Sequence, residues 1–240
     1  MNSALKHVIV YSIETQKMHK FEKGLHHEGK FNQEFQKPKW FDQKLFDEGR
    51  QFMYKYELAC GISSLISLIL GLSFERLLNV LVFTNFSDTK EKSFWRYFDT
   101  ARHVEMWFKT DVFEVGSEGN KSMKRIRQVH KMVRNKTTAH FNDGKTYLSQ
   151  TDMAHTLIGF VGPILGSPEL FGVAKQDRKM DGFIHMWRVF GYLHGIEDEF
   201  NPFEVRFGYL DLKFSLESLT GNPFESQRFC KNSSNNILSF

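Results

Sequence analysis

Cysteine is scarce: Cys60 and Cys230 are the two in 240 residues. That excludes a disulfide framework, and no CxxC metal or redox pair is present. Nor does the chain contain a Gly-rich phosphate loop, a nucleophile elbow or a Cys–His arrangement, so the usual sequence marks of nucleotide binding and covalent hydrolysis are missing. Charge of one sign is not in large excess either. The net charge is +4 with a sequence pI of about 8.9, so a basic patch must be local to mean anything. The N-terminal MNSALKHVIVYSIETQKMHK lacks a charged start followed by a long apolar core, and no secretory signal peptide is expected.

What is present is a globular composition, 41% hydrophobic and 25% charged, with phenylalanine unusually frequent at 25 residues. Phenylalanine in such number can line a large apolar cavity or simply fill a core. LACGISSLISLILGLSF, Leu58 to Phe74, is 17 residues without a charge, at the short edge of a membrane-spanning length, and contains four Ser and two Gly. It reads either as an interior helix or as an interfacial segment, and LLNVLVF (Leu77 to Phe83) extends the apolar character. Helical intervals recur in WFDQKLFDEGRQFMYKY (Trp40 to Tyr56), in FWRYFDTARHVEMWFKT (Phe94 to Thr110) and in the helix opened by GSEGNKS (Gly116 to Ser122). They recur again in SQTDMAHTLIGFVGPIL (Ser149 to Leu165), ended or kinked at Pro163, and in MDGFIHMWRVFGYLHGI (Met180 to Ile196). Strand alternation is lacking, so the predicted class is all-α. Residues 1–33 are polar and poorly periodic and read as an N-terminal arm. Residues 34–205 form the helical domain, and 206–240 a divergent C-terminal tail.

SMKRIRQVHKMVRN (Ser122 to Asn135) is basic, but a helical wheel groups Met123, Ile126, Val129, His130 and Val133 within an arc of about 120°. His130 therefore points inward, with Arg127 and Arg134 at the edge of that face. Nucleic acid would have to read the face that the core needs, so no nucleic-acid partner is expected. An inward histidine flanked by arginines suits a haem, the imidazole on iron and the guanidiniums toward the propionates; taken alone, a lone inward histidine is more often a hydrogen-bonded core residue. On the preceding helix Arg96, Thr100, His103 and Trp107 share a narrow face. They could donate hydrogen bonds to a bound oxygen species, or Arg96 could pair with Asp99 at the surface. His155, His185 and His194 read as core or supporting groups.

These segments, in this order, resemble the family that includes the bacterial latex-clearing rubber oxygenase and the fungal ER-bound oxygenases of mycophenolic acid biosynthesis. The style is closest to animal members, and the match spans roughly residues 35 to 203. The resemblance implies a globin-like helical bundle enclosing haem b, with His130 as proximal iron ligand and Arg96 and Thr100 at the distal, catalytic positions. Arg127, Arg134, His103 and Trp107 complete the expected cofactor-binding set. Asp99 stands where rubber-cleaving members carry a lysine. The implied activity is oxidation or cleavage of a carbon–carbon double bond in an apolar substrate, an isoprenoid among the candidates, with dioxygen as co-substrate. The alternative is a haem carrier or a gas or redox sensor without turnover. The expected location is intracellular, cytoplasmic or peripheral to the ER membrane, with membrane association through Leu58–Phe83.

Overall fold

Local capping chemistry sets the helix starts. In chain order the helices are α1 (Gln43–Lys55), α2 (Glu57–Gly71), α3 (Glu75–Phe83), α4 (Lys90–Lys109), α5 (Glu118–Phe141), α6 (Gln150–Gly166) and α7 (Met180–Leu193). The computed structural model describes residues 19–71, 75–85, 87–174 and 177–204. Asp42 accepts from the Leu45 amide to open α1, Thr89 from Lys92 to open α4, and Ser117 from Asn120 to open α5. Ser149 and Asp152 form a reciprocal box at the start of α6, each side chain taking the other's backbone N–H. Helix α5 stops on Asn142, a left-handed residue (φ 44°), at the turn that Asp143-Gly144 predicts. Helix α6 does not end at Pro163 but runs on to Gly166. So near a C-terminus, the missing proline N–H removes one intrahelical bond without stopping the helix.

Among the described residues the architecture is all-helical, and an isolated bridge between Glu28 and Ser149 is the extended pairing present. Helix α1 packs along α7, α2 along α6, and α4 along α5. The α1–α7 crossing is backbone against backbone. A Cβ on Gly49 would lie 2.4 Å from the Gly182 carbonyl oxygen, and one on Gly182 2.7 Å from the Gly49 nitrogen, so no side chain fits at either place. Around this crossing Phe52 meets Phe183 at 4.5 Å, and Trp187 stacks on Phe160 at 5.2 Å. These buried rings are the part of the phenylalanine excess that fills space.

Residues 19–33, expected as a polar arm, are instead part of the fold. Phe21 and Phe31 are buried in the core, the Lys30 amide donates to the Gly195 carbonyl, and the Gln150 amide donates to His27. Two anchoring phenylalanines among charged neighbours leave no periodic pattern, so composition reads this strap as polar. The tail predicted at 206–240 lies outside the described residues.

Helix α2 buries Cys60 and Ser63 on one side, while Leu58, Ile62, Leu65, Ile66 and Ile69 stand 42–77% exposed on the other. Phe94, Trp95 and Phe98 of α4 are exposed as well, and between the two helices Tyr97 reaches the Leu68 carbonyl (3.5 Å). No helix of the described residues is long and apolar enough to cross a membrane.

Candidate functional site

Helices α4, α5, α6 and α7 stand around a cavity of ≈ 760 Å³, with α2 and α3 closing one flank. Each helix contributes one face. From α4 come Arg96, Thr100, His103 and Trp107, and from α5 Ile126, Val129, His130 and Val133; α7 supplies Trp187, Phe190, Gly191 and His194. The four α4 residues fall at intervals of four, three and four, the helical repeat. Lys92, Trp95, Asp99 and Arg125 are exposed residues that also line the cavity, and so mark its mouth.

His130 is the centre of this arrangement. Burial pushes its imidazole down to about 4, so it is neutral at physiological pH with no proton to lose before binding a metal. Its Nδ1 is buried without a hydrogen-bond partner. The surface it still shows belongs to the cavity that it lines. Beside it, ring centroids 5.6 Å apart, lies His194. The His194 Nδ1 donates to the Phe190 carbonyl (2.9 Å), which leaves Nε2 with its lone pair; burial first, then His130, pushes this imidazole down to about 3. That is the tautomer and the backbone partner of a metal-ligating histidine.

Among the described residues Arg96 has no carboxylate partner. Its Nε donates to the Ser87 hydroxyl (2.7 Å), its guanidinium lies over the Tyr97 ring (4.2 Å), and its Nη2 is buried and unsatisfied. Desolvation lowers its pKa. The pairing with Asp99 does not form; Asp99 is exposed at the mouth. Thr100 donates its hydroxyl to the Arg96 carbonyl (2.8 Å), so toward the cavity it offers only an acceptor. Trp107 Nε1 donates to Ser122 Oγ (2.8 Å), and the same oxygen lies 2.7 Å from His103 Nδ1. Both rings are therefore held by Ser122, with the indole N–H already committed.

Arg127 and Arg134 do not reach the cavity. Arg127 donates to the carbonyls of Phe31 (3.0 Å), Lys30 (3.2 Å) and Gln33, and Arg134 pairs with Glu28 and bonds the Gly29 carbonyl. They strap residues 28–33 to α5 rather than waiting for carboxylates. The physical reason is that backbone carbonyls in an irregular segment need donors, and a guanidinium supplies them in a fork.

Three further residues line the cavity: Arg76, which the sequence did not single out, and His155 and His194, which it read as core or supporting groups. Arg76 donates from Nε and Nη2 to Asp152 (both 3.0 Å) and from Nη2 to the Thr146 carbonyl (2.8 Å). His155 is fully buried, pushed down to about 4 by desolvation, and neither ring nitrogen has a partner. The available signal was spacing: His194 follows Trp187 and Phe190 at helical intervals, and His155 follows Asp152 by three. Cys60 holds no chemistry, its thiol pushed up to about 12 by burial. No group of three or more His, Cys, Asp or Glu suited to a metal ion occurs among the described residues.

The donor set suits a haem in one respect that matters: the neutral imidazole of His130 and the Arg96 guanidinium, each with an unmet nitrogen, share one cavity, and among the described residues no carboxylate cluster competes for the metal. Residues 61–205 match the family described as ER-bound oxygenase mpaB/B′/rubber oxygenase, catalytic domain. Among solved structures the fold is similar to that of latex clearing protein LCP in its closed state. The TM-score is 0.59 at 17% sequence identity, over 89% of this chain and 62% of that one. Comparison with curated proteins gives no match.

Proposed function

The chain belongs to the family of ER-bound oxygenase and rubber oxygenase catalytic domains, and on that premise we propose that it is a haem b-dependent oxygenase-like protein. Its reaction is the oxidation or cleavage of a carbon–carbon double bond in an apolar substrate, with dioxygen as co-substrate. The observation that carries this reading is the pairing, in one cavity, of a neutral histidine with an orphaned nitrogen (His130) and an arginine with an orphaned nitrogen (Arg96).

When bound, the haem supplies the redox chemistry with dioxygen. The chain's own residues do the rest. His130 offers a neutral imidazole as iron ligand, His194 stands beside it as a second one, and Arg96 donates Nη2–H to negative charge that develops in the cavity. Thr100 keeps the Arg96 backbone in place through its hydroxyl and presents oxygen lone pairs. Trp107, Phe160, Trp187 and Phe190 exclude water from the apolar part, which strengthens the Arg96 interaction. The exposed apolar face of α2 lies next to this chamber and supports peripheral contact with a lipid surface, from which an apolar substrate would enter.

A second reading, haem held without turnover, draws on the commitment of Thr100 and Trp107 to internal partners, which leaves few donors for an oxygen species. The two part on whether the reduced protein under dioxygen consumes an unsaturated lipid or only autoxidises.

The first experiment is an absorption spectrum of the purified chain before and after haem addition, beside His130→Ala. A Soret band with sharp ferrous bands that collapses in the variant is the expected result. A flat spectrum that haem cannot restore removes the proposal.

A further inference from the structure

His155 leaves both of its ring nitrogens unmet in the cavity wall. It sits on α6 one turn after Asp152, 6% exposed, with one face stacked on Phe21 (centroids 5.1 Å, 28° between planes). Both of its ring nitrogens are buried without a partner. A buried donor or acceptor left unmet carries its full desolvation penalty, and native structures leave few of them without cause. The ring lines the cavity and Phe21 stacks on one of its faces, so the cavity is the open space beside it from which a partner can reach the ring edge.

We propose that His155 marks the head-group end of the cavity, and that the ligand is an apolar molecule carrying one uncharged hydroxyl group. The inference deepens the oxygenase reading by naming a substrate class, and it rests on that reading for calling the ligand a substrate. The chemistry selects the class. A neutral imidazole presents one N–H and one lone pair, so the complementary group must both accept and donate. A hydroxyl does both. A carboxylate only accepts, and the nearest cation, Arg76, is already neutralised by the bidentate Asp152. An ammonium only donates. Thr156, which also lines this end, spends its hydroxyl proton on the Asp152 carbonyl (2.9 Å) and can accept one more bond, again suiting a hydroxyl rather than a carboxylate. The apolar residues of the cavity wall, among them Leu77, Val80, Leu81 and Leu157, suit a hydrocarbon chain.

The test is equilibrium dialysis of the full-length chain, as purified and after haem loading, against farnesol, farnesene and farnesoic acid. The wild type is expected to bind the alcohol about tenfold more tightly than the hydrocarbon, the size of one buried hydrogen bond, and more tightly than the acid. In His155→Phe, farnesene binding stays within about twofold while the alcohol preference disappears; His155→Gln, which keeps a donor and an acceptor, retains a preference. Equal binding of alcohol and hydrocarbon by the wild type means an ordered water alone satisfies His155, and overturns the proposal. A preference for the acid assigns the head-group end to Arg96 instead, and so does the same damage. Preference kept in His155→Phe, or no binding of any of the three, also sinks it. None of these readouts needs turnover or haem, so a missing Soret band refutes the oxygenase reading while leaving the alcohol preference standing or falling by itself.

Discussion

Helix α5 buries Met123, Arg127, Val133 and Thr137 and turns His130 into the cavity, while Lys121, Gln128 and Lys136 face outward. Helix α2, with no charge between Glu57 and its end, does the reverse with its aliphatic residues: Leu58, Ile62, Leu65, Ile66 and Ile69 line up on the outside within an arc of about 100°. The first helix carries eight charged residues and still serves the interior with one face; the second is apolar and serves the boundary. Burial follows the angular position of a residue on its helix, not the average hydropathy of the segment. The two helices also differ in what satisfies them. Helix α5 is held by polar side chains that reach specific carbonyls, whereas the outer stripe of α2 has no partner among the described residues.

That contrast predicts a graded series of effects. Met123→Asp places a charge at a fully buried position of α5 and should cost on the order of 4 kcal/mol or more, read as loss of the cooperative unfolding transition. Arg127→Ala leaves the carbonyls of residues 30, 31 and 33 without their donor and should cost about 1–3 kcal/mol, with protease cleavage appearing in the 28–33 strap; an unchanged digestion pattern contradicts the strap assignment.

His155→Phe should make the acid limb of stability shallower, with His130 and His194 keeping their own shares of the slope. The sign follows from its direction of shift: the folded value is about 4 against an ordinary 6.5, so between these pH values the unfolded chain binds the extra proton. Stability from this group is full above pH 6.5 and is lost as pH falls through that window, at about 1.4 kcal/mol per pH unit. Removing the imidazole removes that slope, and denaturant midpoints between pH 7 and 4 measure it.

The smallest effect on stability belongs to α2. Ile62→Lys with Ile66→Lys should change unfolding by less than about 1 kcal/mol, because both residues already face outward. The same pair should abolish co-sedimentation with phospholipid vesicles if the stripe meets a lipid surface. Sedimentation that survives the double change assigns lipid contact elsewhere, and a change in oligomeric state assigns the stripe to a second copy.

Much of the helical frame was legible, since 3.6-residue spacing and capping residues are local signals. Ser149, Asp152, Ser117 and Asn142 bound helices where their side chains predict it. The inward turn of His130 and the common face of Arg96, Thr100, His103 and Trp107 were legible for the same reason. The destinations of Arg127 and Arg134 were not, because their acceptors lie some hundred residues earlier and no periodicity encodes them. The packing of residues 19–33 escaped notice because two buried rings in a polar segment make no pattern. The outward face of α2 could not be read either, since an uncharged run looks the same whether its neighbours are side chains or lipid. His155 and His194 looked like ordinary core histidines; only the absence of partners around one and the carbonyl behind the other set them apart.

The contact between Gly49 and Gly182 has a mechanical consequence. Helix α7 carries Trp187, Phe190, Gly191 and His194 into the cavity, and at its crossing with α1 there is no side chain left to compress. That wall is incompressible on its outer side. Any widening needed to admit a planar group or a long chain is then expected from the opposite flank, where α2 exposes Leu58, Ile62, Leu65, Ile66 and Ile69. The side of the chamber left free to yield is the one whose outer surface is greasy.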